Sequence, residues 1–396
     1  MTIPAEVREI ISKLHAAGLE AYAVGGCVRD MLLGAKPKDW DVTTNALPEK
    51  IREIFPESFY ENKFFTVTVK TGDEDPSLRE IEITTFRAEG RYEDKRHPAD
   101  VKPAGSLEED LSRRDFTVNA MAIAIGAKGR KTKDESITVI DPFEGQKDLA
   151  AKLVRAVGDP KERFSEDALR MLRAVRFAAE LGFSVEEKTS KAIRTNRNWL
   201  QAISKERIRD EFSKILMSRD AKDGIELLEA LGLLMHIVPE QREGIGVTQN
   251  KHHIFMVWEH NARALDYAAK SGWSLAVRIA ALFHDIAKPR CKVGEGPDST
   301  FYNHDVVGAK MSYQILSRLR YPDTFTEIVA KLVRWHLFRY DYEGDAVETT
   351  DSAIRRLIRN VGEENIQELV KVRMCDRIGS GVPKAVPYRL RHFQFR

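Results

Sequence analysis

Ala23-Val24-Gly25-Gly26-Cys27-Val28-Arg29-Asp30, with Asp39-Trp40-Asp41 shortly after it, constrains this chain more than any other stretch. A short apolar run that breaks at Gly-Gly and resumes as Val28-Arg29-Asp30-Met31-Leu32-Leu33-Gly34 reads as strand, tight turn and helix, with Gly34 closing the helix. Glycines let backbone N–H groups approach an anion, the new helix N-terminus adds a positive dipole end, and Arg29 adds a fixed charge. Such a turn suits phosphate. In a strand, period-two alternation puts Asp39 and Asp41 on one face and Trp40 on the other. A Gly-Gly pair alone is usually only a turn, and two nearby aspartates are usually solvated surface. Together they point to metal-assisted chemistry on a nucleoside triphosphate.

The string Gly25-Gly26-x-Val28-Arg29-Asp30-x-Leu32-Leu33-Gly34 followed by Asp39-x-Asp41 resembles the head motif of class II tRNA nucleotidyltransferases, the CCA-adding enzymes, and of bacterial poly(A) polymerases, within the polymerase-β-like superfamily. The resemblance implies Gly25, Gly26 and Arg29 at the nucleotide and Asp39 and Asp41 as catalytic carboxylates ligating Mg2+.

At 396 residues the chain exceeds the roughly 150 residues of a typical domain, so about two to four domains are expected. With 42% apolar and 31% charged residues it is an ordinary helix-leaning globular chain, and disorder is disfavoured. Lys+Arg 63 against Asp+Glu 61 leaves a net charge of +2, so any RNA-binding surface must be local. Cys27, Cys291 and Cys375 have no paired spacing, which suggests neither a zinc cluster nor a disulfide framework and fits reduced cytosol. The apolar run Leu275 to Phe283 is interrupted by Arg278 and too short to span a bilayer, and no leader opens the chain. A soluble, cytoplasmic protein without a membrane partner is expected.

Val7, Ile10, Ile11 and Leu14 form one stripe, predicting a helix over 3–18 ended by Gly18. Strand patterns at 64–69, 79–86 and 121–125 then give a mixed α/β region. Glu80 and Glu82 share a face of the second strand, so either can stand beside Asp39 and Asp41. The resemblance, carried by Ile81-Glu82-Ile83-Thr84-Thr85-Phe86-Arg87, selects Glu82. The charged stretch Arg87 to Pro98 predicts a surface loop. It resembles the flexible loop of CCA-adding enzymes that helps the switch from cytidine to adenosine addition. His97 and Phe65 stand where the family usually has Arg and Gly. Arg113-Arg114-Asp115-Phe116-Thr117-Val118-Asn119-Ala120 puts cations, a carboxylate and an amide at the mouth of a strand, a set suited to a triphosphate and a ribose. By resemblance Asp115 and Asn119 hold the ribose, and Arg114 serves phosphates or ribose. Asp141-Pro142-Phe143-Glu144-Gly145 is a good turn and resembles the family's link between head and neck.

From Pro160 onward the pattern is helical, with Ser165 placed to N-cap a helix over 166–177. At about 100° per residue Asp167 and Arg170 lie roughly 60° apart, while Arg176 falls nearly opposite Asp167. An Asp–Arg pair can offer acceptor and donors to the edge of cytosine or adenine; an ordinary helix would simply pair Glu166 with Arg170. The resemblance to the family's Glu-Asp-x-x-Arg motif assigns Asp167 and Arg170 base selection without template RNA, with Arg173 or Arg176 near the triphosphate. Lys205 to Phe212 predicts a supporting helix.

Histidines gather after Gly246, and His284-Asp285 ends an apolar helix predicted over 275–285. Imidazoles and carboxylates brought together from several helices make a site for one or two metal ions. The pattern resembles an HD domain. His260, His284, Asp285 and Asp376 match its core ligand order, His304 and His336 match the extra histidines of variants that hold a second metal, and Ala287 replaces a common Gly. That resemblance implies phosphodiesterase or phosphatase activity, with cyclic-phosphate RNA ends as one substrate class. Relatives continue beyond the amphipathic run Tyr388 to Arg396 into a tail that grips tRNA, so a shortened end is expected.

The expected fold is α+β: a polymerase-β-like mixed α/β nucleotidyltransferase head (1–145), an all-helical neck and body for nucleotide selection and RNA binding (146–243), and a helical HD domain (244–396). The implied reaction is template-independent addition of C, C and A to tRNA 3′ ends from CTP and ATP by a two-metal mechanism. A partial A-adding or CC-adding enzyme, a poly(A) polymerase, an HD metal phosphohydrolase with an RNA-binding head, and an RNA-binding scaffold stay open. The loop at 87–98 favours complete addition, and paired carboxylates favour catalysis over binding alone.

Overall fold

The structure, a computed structural model, describes residues 2–61, 65–89, 101–126, 137–250, 254–338 and 349–381. Most of the predicted loop at 87–98, including His97, and the end at 388–396 lie outside those residues. The chain divides into two compact units, Met1–Arg170 with Phe183–Ala202, and Met171–Gly182 with Ile203–Arg396.

The first unit opens with α1 (Ala5–Ala16), whose buried stripe Val7, Ile10, Ile11 and Leu14 has the helical spacing predicted above. Then come β1 (Ala21–Val24), α2 (Gly26–Leu32), β2 (Asp41–Thr44), α3 (Pro48–Ile54), β3 (Ser58–Glu61), β4 (Thr66–Lys70), β5 (Glu80–Thr85), β6 (Arg87–Glu89), β7 (Val101–Pro103), α4 (Leu107–Ser112), β8 (Ala122–Ile125) and β9 (Ile137–Ile140). Seven of these strands form one mixed sheet in the order β3-β4-β5-β2-β1-β8-β9. Within it β2 and β5 run parallel. Val24, Phe86, Leu107, Leu111 and Ala122 pack together beneath the strand ends, and burial of each large apolar side chain there contributes about 1.5–3 kcal/mol. The α/β head expected from the strand patterns is therefore present.

The same unit continues through α5 (Gly145–Ala151), β10 (Leu153–Val154), α6 (Pro160–Glu166), β11 (Ser184–Val185) and α8 (Glu187–Asn196), while α7 (Arg170–Leu181) leads into the second unit. Here the helix expected over 166–177 is corrected. Asp159, not Ser165, caps a helix, accepting from the Lys161 N–H with Pro160 at the first turn. That helix stops at Glu166. Asp167 is extended (φ −143°, ψ 106°), its carboxylate accepts from the Leu169 N–H at 3.0 Å, and its carbonyl accepts from the Arg170 N–H at 3.0 Å. A short acidic side chain that bonds the backbone two residues on competes with helix, and here it wins. Asp167 and Arg170 consequently stand across a break, not on one helical face.

The second unit is helical: α9 (Lys205–Met217), α10 (Ala221–Ala230), α11 (Val257–Lys270), α12 (Leu275–Phe283), α13 (Lys288–Cys291), α14 (His304–Arg318), α15 (Asp323–Trp335), α16 (Asp351–Val361) and α17 (Ile366–Gly379). Its central packing brings α11, α12, α15 and α17 together. Arg278, buried in α12, donates to the carbonyls of Leu216 (2.7 Å), Ser218 (2.8 Å), Ala269 (3.2 Å) and Trp273 (2.9 Å). One guanidinium thus satisfies orphan carbonyls at the ends of α9 and α11, fixing where those helices stop. The apolar run carrying Arg278 is accordingly a core helix, and among the described residues no helix is long and apolar enough to cross a membrane.

Candidate nucleotide and metal centres

In the head, Gly25 is the pivot. It adopts φ 85° and ψ −131°, its N–H donates to the Met121 carbonyl at 3.1 Å, and a Cβ there would lie 2.7 Å from Arg114 Nη1 and 3.8 Å from Asp41 Oδ2. Only glycine lets the turn approach this closely. Asp41 opens β2 and is the Cα partner of Glu82 on β5, while Asp39 sits exposed just before the strand, on the far side of buried Trp40. The strand is thus shorter than expected: it begins only at Asp41, so strand alternation does not place Asp39, which lies in a bend, and only the burial of Trp40 matches the expectation. Burial is the main cause raising the Asp41 carboxyl to about 6; Arg114 opposes it, and Asp39 and Glu82 add to it. A carboxylate so disfavoured, beside two others, is a site that a cation would satisfy. Cys27, beside the glycines, is pushed up to about 12 by burial and packs as a small core residue.

Arg114 is held from behind by Asp110, a residue the sequence reading passed over. Fully buried Asp110 accepts from Arg113 (3.2 Å), Arg114 (3.5 Å), the Arg87 N–H (3.1 Å) and Thr43 Oγ1 (3.4 Å). Its place in α4, about one turn before both arginines, was the signal available: i,i+3 and i,i+4 acid–base spacing. Asn119 accepts from Arg29 Nη1 at 2.8 Å and donates to Asp115 Oδ1 at 3.5 Å, so Arg29, Asp115 and Asn119 form one connected group.

Arg170 is nearly buried. Its guanidinium pairs with Glu166 and donates to the carbonyls of Arg163 and Arg113, both at 3.2 Å. In the second unit Arg173 and Arg176 both lie over the Phe177 ring, at 5.4 and 4.3 Å. Buried Arg176 also donates to Glu211 Oε1 on α9 at 3.1 Å. These arginines stitch helices and backbone together.

The second unit carries a tight cluster of imidazoles and carboxylates. His260 (α11), His284 and Asp285 (just after α12) and Asp376 (α17) place ligand atoms within 4.8 Å of one another, as do Asp285, His304 (α14) and His336 (after α15). Among the described residues these are the two places where three or more such groups converge that tightly; the head carboxylates are set more loosely. Asp285 belongs to both sets. Its Oδ2 faces His260 Nε2 (3.0 Å) and His284 Nε2 (3.4 Å), and its Oδ1 faces His304 Nε2 (3.3 Å) and His336 Nε2 (3.7 Å). His284, His304 and His336 each donate Nδ1–H to a backbone carbonyl three residues back, at 2.7, 2.6 and 2.7 Å. That fixes the tautomer and aims each Nε2 lone pair inward. Buried Asp285 Oδ1, His304 Nε2 and His336 Nε2 have no hydrogen-bond partner among the described residues, and His260 and His284 bring their Nε2 atoms to 2.7 Å. Such a donor set fits divalent metal and little else.

Burial works against a charged imidazole at His260, but Asp285 and Asp376 more than offset it and raise it to about 9. Burial and the neighbouring His284 push His336 down to about 3. Lys288, a further residue the sequence reading missed, is buried with its Nζ 2.6 Å from Asp285 Oδ2 and 2.6 Å from Gln249 Oε1. Its i+3 spacing from Asp285 was the only sequence signal.

Three family models match the chain: "Poly A polymerase head domain" over residues 21–155, "Probable RNA and SrmB- binding site of polymerase A" over 182–244, and "HD domain" over 257–379. Head and HD families of this kind generally work with divalent metals. The CCA-adding enzyme of Lactobacillus delbrueckii subsp. bulgaricus is 38% identical over 310 residues, 78% of this chain and 72% of that one. That of Listeria monocytogenes serotype 4b is 40% identical over 270 residues, 68% and 64% of the two chains. Among solved structures, the Bacillus stearothermophilus CCA-adding enzyme in complex with CTP matches with a TM-score of 0.71 at 29% identity, covering 98% of this chain and 82% of that one. A tRNA nucleotidyltransferase complexed with a primer tRNA and an incoming ATP analog shares the fold, with a TM-score of 0.59 at 23% identity and coverage of 98% and 100%. With the head motifs, the metal cluster and these relatives in agreement, the chain belongs to the CCA-adding enzyme family of tRNA nucleotidyltransferases, in a form that carries an HD domain.

Proposed function

We propose that this chain adds C, C and A to tRNA 3′ ends from CTP and ATP, with pyrophosphate released. The observation that carries this reading is the Gly25 turn, which brings the Arg114 guanidinium beside the Asp41 carboxylate with Glu82 in register next to it. Asp39, Asp41 and Glu82 would hold Mg2+, an ion suited to carboxylate oxygens. Bound there, it supplies positive charge to the primer 3′ oxygen and to the departing pyrophosphate. The protein's own groups do the positioning. Gly25 and Gly26 leave room for phosphates, Arg29 and Arg114 bring fixed charge to them, and Asp115 and Asn119 bind the ribose. Asp167 and Arg170 select the base. Arg170 also pairs with Glu166, which holds its guanidinium beside the break at Asp167. Arg173 is kept near the triphosphate; Arg176 acts by fixing α7 against α9. The residues group by role as a head (1–145), a neck and body (146–243) and an HD domain (244–396), in a cytoplasmic protein.

Incorporation of labelled CTP into tRNA by the wild type, and its loss in Asp39→Ala/Asp41→Ala, tests this reading. Equal incorporation by both proteins would overturn it.

A second reading rests on Asp285 and its two ligand sets. The HD centre would take a divalent metal at His260, His284, Asp285 and Asp376, with a second at Asp285, His304 and His336, and hydrolyse phosphate esters such as cyclic-phosphate RNA ends. Wild-type protein free of transition metal, with phosphatase activity unchanged in His284→Ala, would refute it.

A further inference from the structure

The turn Asp141 to Gly145 and the helix after it look like a mere link, yet they are wired into the ribose group. Thr117 Oγ1 donates to Asp148 Oδ2 at 2.5 Å, and Arg155 Nε donates to the same oxygen at 2.8 Å. Arg155 closes the loop by donating to the Phe143 carbonyl at 3.1 Å and accepting, through its own carbonyl, from the Thr117 N–H at 2.9 Å. A Cβ on Gly145 would lie 2.4 Å from the Thr117 carbonyl oxygen, so α5 is pressed against the turn Thr117–Asn119 as closely as chain can be. The residues flanking α5, Glu144 (φ 60°) and Lys152 (φ 53°), are both left-handed without being glycine. Such strain persists only where surrounding contacts over-determine it. Asp148 is itself buried, far from solvent chemistry.

Two residues after Thr117, Asn119 leaves the same turn to meet Arg29 at 2.8 Å and Asp115 at 3.5 Å. We propose that Asp148 is a positioning residue for the incoming nucleotide: its carboxylate clamps Thr117 from behind and thereby sets the Asn119 amide against the ribose. The inference rests on the reading above that Asp115 and Asn119 bind the ribose. Loss of the clamp leaves the turn free to shift, and a small displacement of a positioning group is enough to weaken its hold on the ribose. Arg155 then has no acceptor at Nε, which is why Thr117→Val, keeping the Asp148–Arg155 pair, is the cleaner probe.

The test is steady-state addition to tRNA with CTP and with 2′-deoxy-CTP, for wild type, Asn119→Ala, Asp148→Ala and Thr117→Val, with a melting curve for each. Asn119→Ala should lower the preference for CTP over 2′-deoxy-CTP. Asp148→Ala and Thr117→Val should do the same, raising the KM for CTP about tenfold, roughly the loss of one hydrogen bond, while kcat changes less. Unchanged selectivity in Asn119→Ala overturns the ribose reading and the proposal with it. Altered selectivity in Asn119→Ala but wild-type selectivity in Thr117→Val, with Asp148→Ala only melting earlier, overturns the proposal alone.

Discussion

Asp41 and Glu82 face each other as partners across the parallel strands β2 and β5, so two carboxylates 41 residues apart in sequence are fixed side by side by backbone pairing. Arg114 offsets only part of what burial does to the Asp41 carboxyl. Burial raises the Asp41 carboxyl from 3.8 to about 6, and a carboxyl raised on folding favours the fold below its ordinary pKa and loses that contribution as pH rises through the folded value. In metal-free buffer Asp41→Asn should therefore gain thermal stability on the wild type as pH climbs from about 4 to about 7. Adding Mg2+ should restore the wild type and not the variant. A difference that ignores both pH and Mg2+ would contradict a cation site here.

Asp110 behaves in the opposite sense. Burial disfavours its charge, but Arg113, Arg114 and the Arg87 N–H hold the carboxyl below its ordinary range. That contribution is present above the ordinary carboxylate pKa and is lost as pH falls through the folded value. Asp110→Asn should cost about 3–5 kcal/mol at neutral pH, the scale for breaking a buried pair, with the gap closing below about pH 4. Denaturant midpoints across pH check this. Because Arg114 loses its anchor, nucleotide addition should fall as well.

Arg176 and Glu211 form a buried pair, with side chains 9% and 5% exposed. If that pair fixes helices and does not bind nucleotide, Arg176→Ala and Glu211→Ala should each destabilise by about 3–5 kcal/mol. The KM for CTP, measured well below the melting temperature, should stay near wild type. A large rise in KM for Arg176→Ala alone would return Arg176 to the triphosphate.

Gly379 ends α17 against His260, and a Cβ there would lie 2.8 Å from the His260 carbonyl oxygen and 3.0 Å from Nδ1. Gly379→Ala should push Asp376 away from the other ligands. Metal affinity of the HD centre, followed by competition with a chelator, should fall about 10–100-fold, the range for disturbing a ligand's support. His284→Ala should lose metal outright, while CTP incorporation by the head persists.

Much of this was legible in the sequence where a local rule governs. The α1 stripe and the Gly25 turn depend on near neighbours, and both appear in the fold; the strand expected through Asp39 begins only at Asp41. The helix over 166–177 failed because periodicity ran on through Asp167, whose side chain bonds the backbone and breaks the helix. Glu82 beside Asp41 needed strand pairing, which resemblance supplied and periodicity left as a choice with Glu80. Asp148 meets Thr117, 31 residues away, only in three dimensions, whereas Asp110 and Lys288 sit at ordinary i,i+4 and i,i+3 spacing from Arg114 and Asp285, a pattern so common on helices that it did not single them out.

The most direct measurement is extension of tRNA ending at the discriminator base, at C and at CC, with CTP, ATP or both, resolved nucleotide by nucleotide for wild type and Asp39→Ala/Asp41→Ala. Addition of C, C and a single A followed by arrest, with the double variant silent, is the predicted result. Long A tails, A added only to the CC-ending substrate, or incorporation that survives loss of both aspartates would contradict it.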